Sequence, residues 1–438
     1  MTAAEATLSN LSDLDHRKQL RRAVVASAIG TTIEWYDFFL YGIVTGLVFA
    51  KLYFPNSDPL VGTLQAYTVF FVGFVARPVG AAIFGHYGDR IGRKSMLVLT
   101  LVVMGVATFL IGLLPTYEQI GPWAAVVLVV LRIAQGFGVG GEWGGAVLMA
   151  VEHAPRGSRG YYGSWPQIGV PAGLLLSTAV FTLFSWLPEE QFLSWGWRVP
   201  FLLSILLVAV GLMIRMRILE TPAFERIRSQ DAAARQPIIE VLMRYPKQVL
   251  VAMGARFAEN GAFYIFSVFV LTYATQRAKI DRQIVLNGIL IGAAVELFAI
   301  PLFGALSDKV GRRPVYLFGA IMTAVLAYPL FAALDGGSPF LIVLALTAAF
   351  TLSHGAMYAP QAAFMSELFH ARVRYSGASL GAQLASVFAG GLAPFIGTAL
   401  LSAGYGRGAV TVYVVGLAVV TLVAIYIAAE TSDTHDDD

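Results

Sequence analysis

Apolar runs of about 20 residues alternate with short polar breaks along the whole chain, and a helix of about 20 apolar residues crosses a bilayer. Twelve such runs are read at 22–51, 62–85, 95–114, 121–151, 161–186, 197–219, 247–275, 284–306, 314–334, 339–366, 374–403 and 407–429. Each is expected to be a helix, because lipid offers no partner to open backbone N–H and C=O groups. The polar opening segment, Met1 to Arg22, has no cleavable signal pattern, so the first run is expected to remain as a signal anchor. The longest internal break, 220–246, is charged and amphipathic and falls between the sixth and seventh runs. The pattern therefore predicts an all-α polytopic membrane protein of two six-helix bundles. Its parts are a cytoplasmic N-terminal segment (1–21), a first bundle (22–219), an interdomain loop (220–246), a second bundle (247–429) and an acidic tail (430–438).

Composition agrees with this pattern. Hydrophobic residues make up 57% of the chain and charged ones 13%, against about 25% charged in soluble domains. There is no cysteine, which excludes disulfides, thiolate catalysis and Cys-based metal sites. With the N-terminus inside, 21 Lys and Arg residues fall on the inner side and 6 on the outer side. That bias predicts that both termini are cytoplasmic. The net charge of +3 comes from these loops and implies no nucleic-acid partner.

Two of the inner breaks carry nearly the same phrase. "GHYGDRIGRKS" stands at 85–95 and "GALSDKVGRRP" at 304–314, 219 residues apart, which is half of the 438 in the chain. A phosphate-binding loop needs four residues between its glycines and then Gly-Lys-Ser/Thr after a strand. "GDRIGRKS" has three, in a membrane turn, so it does not read as one. A plain basic turn needs neither the aspartate nor the repeat. The pattern Gly85, Asp89, Arg90, Gly92, Arg93, with its copy at Gly304, Asp308, Gly311 and Arg312, resembles the cytoplasmic signature of the major facilitator superfamily. Further stretches are similar to its metabolite:H⁺ symporter branch, which includes shikimate, α-ketoglutarate, citrate and betaine permeases. They are "EWYDFFLYG" at 34–42, "ARPVGAAIFGHYGDRIGRK" at 76–94, "LRIAQGFGVGGEWGGA" at 131–146, "SWGWRVPF" at 194–201 and "RYSGASLGAQLAS" at 374–386. The last two look most like shikimate-permease-like members. The resemblance covers essentially the whole chain. It implies alternating access in a bacterial inner membrane, a functional monomer, and no cofactor beyond H⁺ as coupling ion.

"EHAPRGSRGYYGS" after run four echoes "ELFHARVRYSGAS" after run ten. Each leads into the N-terminal end of a helix, which favours an anion by about 0.3–2 kcal/mol. Asp89 is therefore expected to dock on run eleven near Arg374, and Asp308 on run five near Arg159, as a clamp at the inner face. Local loop capping is the alternative. "GFGVGG" at 136–141 lies inside an apolar run with Gly136, Gly140 and Gly144 on one face, and reads as helix packing rather than a dinucleotide loop. Run five lacks the Gly-Pro pair of the superfamily's antiporter signature, which favours symport.

Charges inside membrane runs are costly and usually functional. The acids are Glu34, Asp37, Glu142, Glu259 and Glu296, and the bases Arg77, Arg132 and Arg256, an excess of two negative charges if all are ionised. Either some acids are protonated or a cation joins them, which points to proton coupling. At 1.5 Å per residue Asp37 lies about 22 Å up run one and Arg132 about 16 Å down run four, both near mid-bilayer. The two are expected to pair, with Glu34 one turn from Asp37. Arg132, with Gln135 and Gly136, also resembles the superfamily's proton-associated signature. Arg77 and Glu142 lie nearer the inner end and are expected to pair structurally, with Glu142 a further candidate for coupling.

Polar residues recur at helical spacing on four runs. Arg256, Glu259, Asn260 and Tyr264 share a face of run seven. His354, Tyr358 and Gln361 share one on run ten, Trp165 and Gln167 lie on run five, and Gln383 and Ser386 on run eleven. Packing explains an aromatic stripe, whereas stripes mixing Arg, Gln, Tyr and His are hard to place against lipid, so these residues are expected to line a substrate cavity. Arg132 or Arg256 is expected to meet a substrate carboxylate. The reading is a proton symporter of a small organic acid, shikimate- or α-ketoglutarate-like, with a zwitterion such as betaine or proline as the alternative substrate. A membrane-embedded enzyme or sensor is the rival class. It lacks a nucleotide loop, a His-Glu-x-x-His pair, a cysteine cluster or a soluble domain, and no metal site is expected.

Overall fold

The structure, a computed structural model, describes residues 13–91, 93–140, 147, 150–151, 154–155, 157–217, 237–369 and 374–432. Gly92, Glu142, Gly144 and most of the 220–246 loop lie outside the described residues, as do the side chains of Asp89, Arg90 and Arg93.

Among the described residues, eleven helices are long and apolar enough to span a membrane. They are Ser27–Tyr53 (span one), Pro59–Phe84 (two), Trp123–Gly140 (four), Arg159–Ser185 (five), Gly196–Ile214 (six), Pro246–Arg277 (seven), Arg282–Val310 (eight), Arg312–Gly336 (nine), Pro339–Glu367 (ten), Ser376–Ser402 (eleven) and Arg407–Ile427 (twelve). Span three is the shorter apolar stretch Val98–Leu113, inside a helix that starts at Arg93. This is the expected twelve-helix, two-bundle fold. Proline opens spans seven and ten, where the first N–H of a helix needs no partner.

Spans one and seven form the centre. In their apolar windows 89% and 94% of residues are buried, against 33% in span six on the periphery. The bundles meet where spans two and eleven pack together and where span five packs on spans eight and ten. Spans two and four approach almost backbone to backbone. A Cβ on Gly136 would run into the Gly73 carbonyl, and one on Gly140 into the Arg77 carbonyl. Small residues permit that approach.

Spans one, seven, ten and eleven each contain π-helical turns, at Thr45–Phe49, Ile265–Phe269 and Tyr273–Arg277, Ala349–Gly355, and Ser386–Gly391. Such turns carry one extra residue and concentrate at functional sites.

The repeated phrase departs from its expected place in a loop. Helix Arg282–Val310 runs through Asp308, and the next begins at Arg312. The break is one residue, Gly311, at φ 99°, a conformation a side chain would strain. In the first copy helices Pro59–Ile91 and Arg93–Leu113 stand on either side of Gly92.

Candidate functional site

The two halves meet at both ends of the bundle. At the end carrying the repeated phrase, Asp308 accepts from the Gly160 and Tyr161 backbone N–H groups, each at 2.8 Å. Both belong to the first turn of the helix that opens span five at Arg159. Arg312 holds Asp308 from the other side at 2.7 Å and also meets Ser307 and Glu367. Arg374 opens the helix of span eleven and donates from Nε to the Phe369 carbonyl. At the opposite end Tyr67 bonds Thr272 at 2.9 Å, Gln276 donates to Thr63 at 2.8 Å, and Gln283 donates to Ser185 at 2.6 Å. Outside that seam a cavity of about 490 Å³ opens between Lys51, Ser57, Gln276 and Arg282. There Lys51 bonds Glu189 at 2.7 Å and holds its carboxylate below the usual range.

Between these seams lie the buried charges. Arg132 sits in an aromatic cage, with its guanidinium 4.3 Å from Phe38, 4.2 Å from Tyr41 and 4.8 Å from Phe70. It donates to Gln135 at 3.0 Å and, at a long 3.4 Å, to the Phe70 carbonyl. The expected ion pair with Asp37 is absent among the described residues. Equal depth on two helices fixes height but not the direction each side chain takes around its axis, and Gln135 with Thr108 fills the space between. Gln135 donates to Thr108 at 2.7 Å, and Thr108 borders Asp37. Neither Asp37 oxygen has a hydrogen-bond partner among the described residues. Arg77 lies over Phe38 at 4.2 Å and Phe74 at 4.6 Å, and its Nε and Nη2 have no hydrogen-bond partner among the described residues. Its expected partner, Glu142, is outside the described residues. Glu34 is buried within electrostatic reach of Arg77 and Asp37.

Span seven faces this group. Tyr264 packs on Phe38, Phe70 and Phe74 of the first half, and its hydroxyl is within electrostatic reach of Arg77, Arg132, Arg256 and Glu259. Arg256 bonds Glu259 at 3.0 Å. Gln361 donates to Glu259 at 2.9 Å and to the Tyr316 hydroxyl at 3.0 Å. His354 lies between Glu259 and Glu296. Gln167 reaches across the halves to the Tyr358 carbonyl at 3.3 Å, and Gln383 to the Gly140 carbonyl at 3.5 Å. Trp165 is only half-buried and packs on Tyr161. Asn260 Oδ1, the Tyr264 and Tyr358 hydroxyls, Gln361 Oε1 and Gln383 Oε1 are buried without partners among the described residues. Buried polar atoms are rarely left so, and here they collect where the halves meet.

Sequence reasoning missed Thr108, Tyr316 and the aromatic cage. It noted Glu296 as a buried acid but gave it no place in the site. A hydroxyl in an apolar run and a tyrosine after a basic turn carry no signal of their own.

Residues 27–391 match the family described as Major Facilitator Superfamily. The chain is 46% identical to the shikimate transporter of Escherichia coli K12 over 386 residues, covering 87% of this chain and 88% of that one. It is 39% identical to the inner membrane metabolite transport protein YhjE of the same organism, covering 98% and 99%. With the proline/betaine transporter of that organism identity is 34%, covering 98% and 87%. The proton:xylose symporter XylE shares the fold at a TM-score of 0.73 and 17% identity, over 95% of this chain and 97% of that one.

Proposed function

The chain belongs to the major facilitator superfamily, and from that premise we propose that it is a proton-coupled symporter of a small organic acid. Membership makes it a multi-pass inner-membrane transporter working by alternating access, not an enzyme. The observation that carries the finer reading is the pair of buried arginines with unmet N–H groups. Arg77 Nε and Nη2 and Arg132 Nη2 have no partner among the described residues, and both guanidinium groups are within electrostatic reach of Tyr264 at the junction of the halves. Planar guanidinium donors in an enclosed site suit a carboxylate. The 46% identical shikimate transporter favours the same class.

Asp37 is the acid we assign to the proton. Asp37 is fully buried, and neither of its oxygens has a hydrogen-bond partner among the described residues. An uncompensated buried charge is costly, and a proton on the carboxyl group removes it. We assign the halves to 22–219 and 247–429, with both termini and the 220–246 loop on the cytoplasmic side. Asp308 on span five, and Asp89 by symmetry on span eleven, then close the cytoplasmic side.

A second reading, a zwitterion, has its own support. Arg256 with Glu259 offers both charges side by side, and the proline/betaine transporter is 34% identical. Uptake by proteoliposomes separates the two. Shikimate should enter faster when the outside is acidified and stop with a protonophore. Accumulation of glycine betaine but not shikimate would give the second reading, and uptake on a sodium gradient alone would overturn proton coupling.

A further inference from the structure

The second half holds a buried titratable group that the reading above does not use. His354 lies in the π-helical turn Ala349–Gly355 of span ten, 1% exposed. Its ring is held between Phe263 at 4.0 Å and Tyr358 at 4.8 Å. Nδ1 meets Glu296 Oε1 of span eight. Nε2 meets Glu259 Oε1 of span seven at 3.3 Å.

Counting hydrogens sets the protonation of this cluster. A neutral imidazole has one N–H and one bare nitrogen, and an ionised carboxylate only accepts. A neutral ring between two carboxylates therefore sets one nitrogen lone pair against an oxygen lone pair. One additional proton, on the ring or on a carboxyl group, turns both contacts into hydrogen bonds. The charge count agrees. Arg256, Glu259 and Glu296 with a neutral ring total one negative charge, and the additional proton brings the cluster to neutrality. An uncompensated charge buried this deeply is costly. Two aromatic faces also suit a cationic ring.

We propose that Glu296, His354 and Glu259 form a proton-binding site in the second half, separate from Asp37 and occupied by one proton in this closed arrangement. Every neighbouring element contributes to it. Glu296 from span eight and Glu259 from span seven meet the ring, and Tyr358 from its own span stacks on it. Arg256 stands behind Glu259, and Tyr264 is within electrostatic reach of Glu259 and Tyr358. Tyr316 of span nine joins through Gln361, and Glu34 of span one reaches the Tyr358 hydroxyl electrostatically. When the proton leaves, the ring keeps one N–H and must release either span seven or span eight. Glu259 also holds Arg256 and Gln361, so the proton is tied to the face where substrate would sit. Its part in the cycle rests on the proton-coupled reading, whereas the presence of the site does not.

Solid-state NMR on ¹⁵N-histidine-labelled protein in bilayers tests this. His354, one of six histidines, is assigned by the signals lost in His354→Gln. At about pH 7.5, a unit above the ordinary imidazole midpoint of about 6.5, both ring nitrogens should carry hydrogen. Alternatively, one N–H should coexist with a carboxylic-acid infrared band that vanishes in Glu296→Gln or Glu259→Gln. One bare nitrogen with no such band overturns the proposal. Glu296→Gln should remove the additional proton, and Glu296→Asp should keep it if the glutamine variant does not fold. A His354 spectrum unchanged by Glu296→Gln also overturns it. Asp37→Asn should leave the His354 signals in place, so a failure of the Asp37 assignment is read separately.

Discussion

Arg132 and Asp37 form no ion pair, and two neutral side chains, Gln135 and Thr108, stand between them. Arg132 donates to Gln135 at 3.0 Å, Gln135 donates to Thr108 at 2.7 Å, and Thr108 borders Asp37. A direct pair would hold Asp37 ionised, because a nearby cation favours the charged carboxylate. With amide and hydroxyl between them, Asp37 can change its proton while Arg132 stays in its aromatic cage. This separation gives the two residues separable roles, and separate variants should expose them.

Asp37→Asn resembles the protonated carboxyl and should uncouple transport without abolishing binding. Exchange of substrate across proteoliposomes at equal pH should persist, while accumulation on a pH gradient should be lost. Accumulation to wild-type levels would move the coupling acid elsewhere, with Glu34, Glu259 and the Glu296–His354 cluster next.

Arg132→Lys should separate charge from shape. Lysine keeps the cation but loses the planar fork that faces Gln135 while stacking on Phe38 and Tyr41. Loss of about 1.4 kcal/mol of binding is a tenfold change. KM for an anionic substrate should therefore rise about tenfold or more, while thermal unfolding in detergent moves little. An unchanged KM would place the substrate carboxylate on Arg77 or Arg256.

The twelve spans were legible because each is an apolar run bounded by charge, glycine or proline, as Pro246 and Pro339 illustrate. The stripe Arg256, Glu259, Asn260 and Tyr264 was legible as one buried face because helical spacing carries direction within a single helix. Direction between helices was not legible. Depth put Asp37 and Arg132 at one height, and only the packed structure shows Thr108 and Gln135 between them. Glu296 and His354 stand 58 residues apart, on runs whose mutual rotation no spacing rule gives. The turn after Asp308 needed a single glycine, so an expected loop became the last turn of a helix.

Asp308→Asn should loosen the end that carries the repeated phrase. An asparagine has one acceptor oxygen for two N–H groups at Gly160 and Tyr161 and loses its charge toward Arg312. Bonds to a charged acceptor contribute about 1.5–3 kcal/mol. A loss of about 2 kcal/mol shifts the balance of open and closed states about 30-fold. A cysteine placed on the inner half of the cavity should then react faster with a membrane-impermeant thiol reagent. Unchanged labelling would show that the bond closes only a local turn.

The same end is braced from beyond span twelve, and this brace has a predictable pH response. Glu430 accepts from the backbone N–H groups of Arg312 at 2.8 Å and Arg313 at 3.0 Å, the first two residues of span nine's helix. Those N–H groups have no partner within the helix, and an anion there also meets the positive end of the helix dipole. Burial opposes ionisation of Glu430, but four backbone N–H groups outweigh it and hold the carboxylate below its usual range. A lowered value means that the contribution is fully present above the ordinary glutamate midpoint of about 4.3. It fades only as pH falls through the lower folded-state value. Glu430→Gln should therefore destabilise the protein at neutral pH by about 1 kcal/mol, the scale of a lost helix cap. The gap to wild type should stay constant from about pH 8 to about pH 5 and close only below about pH 4. Thermal unfolding of both proteins across that range measures it. A gap that narrows near neutral pH would show that Glu430 is not held as an ionised cap.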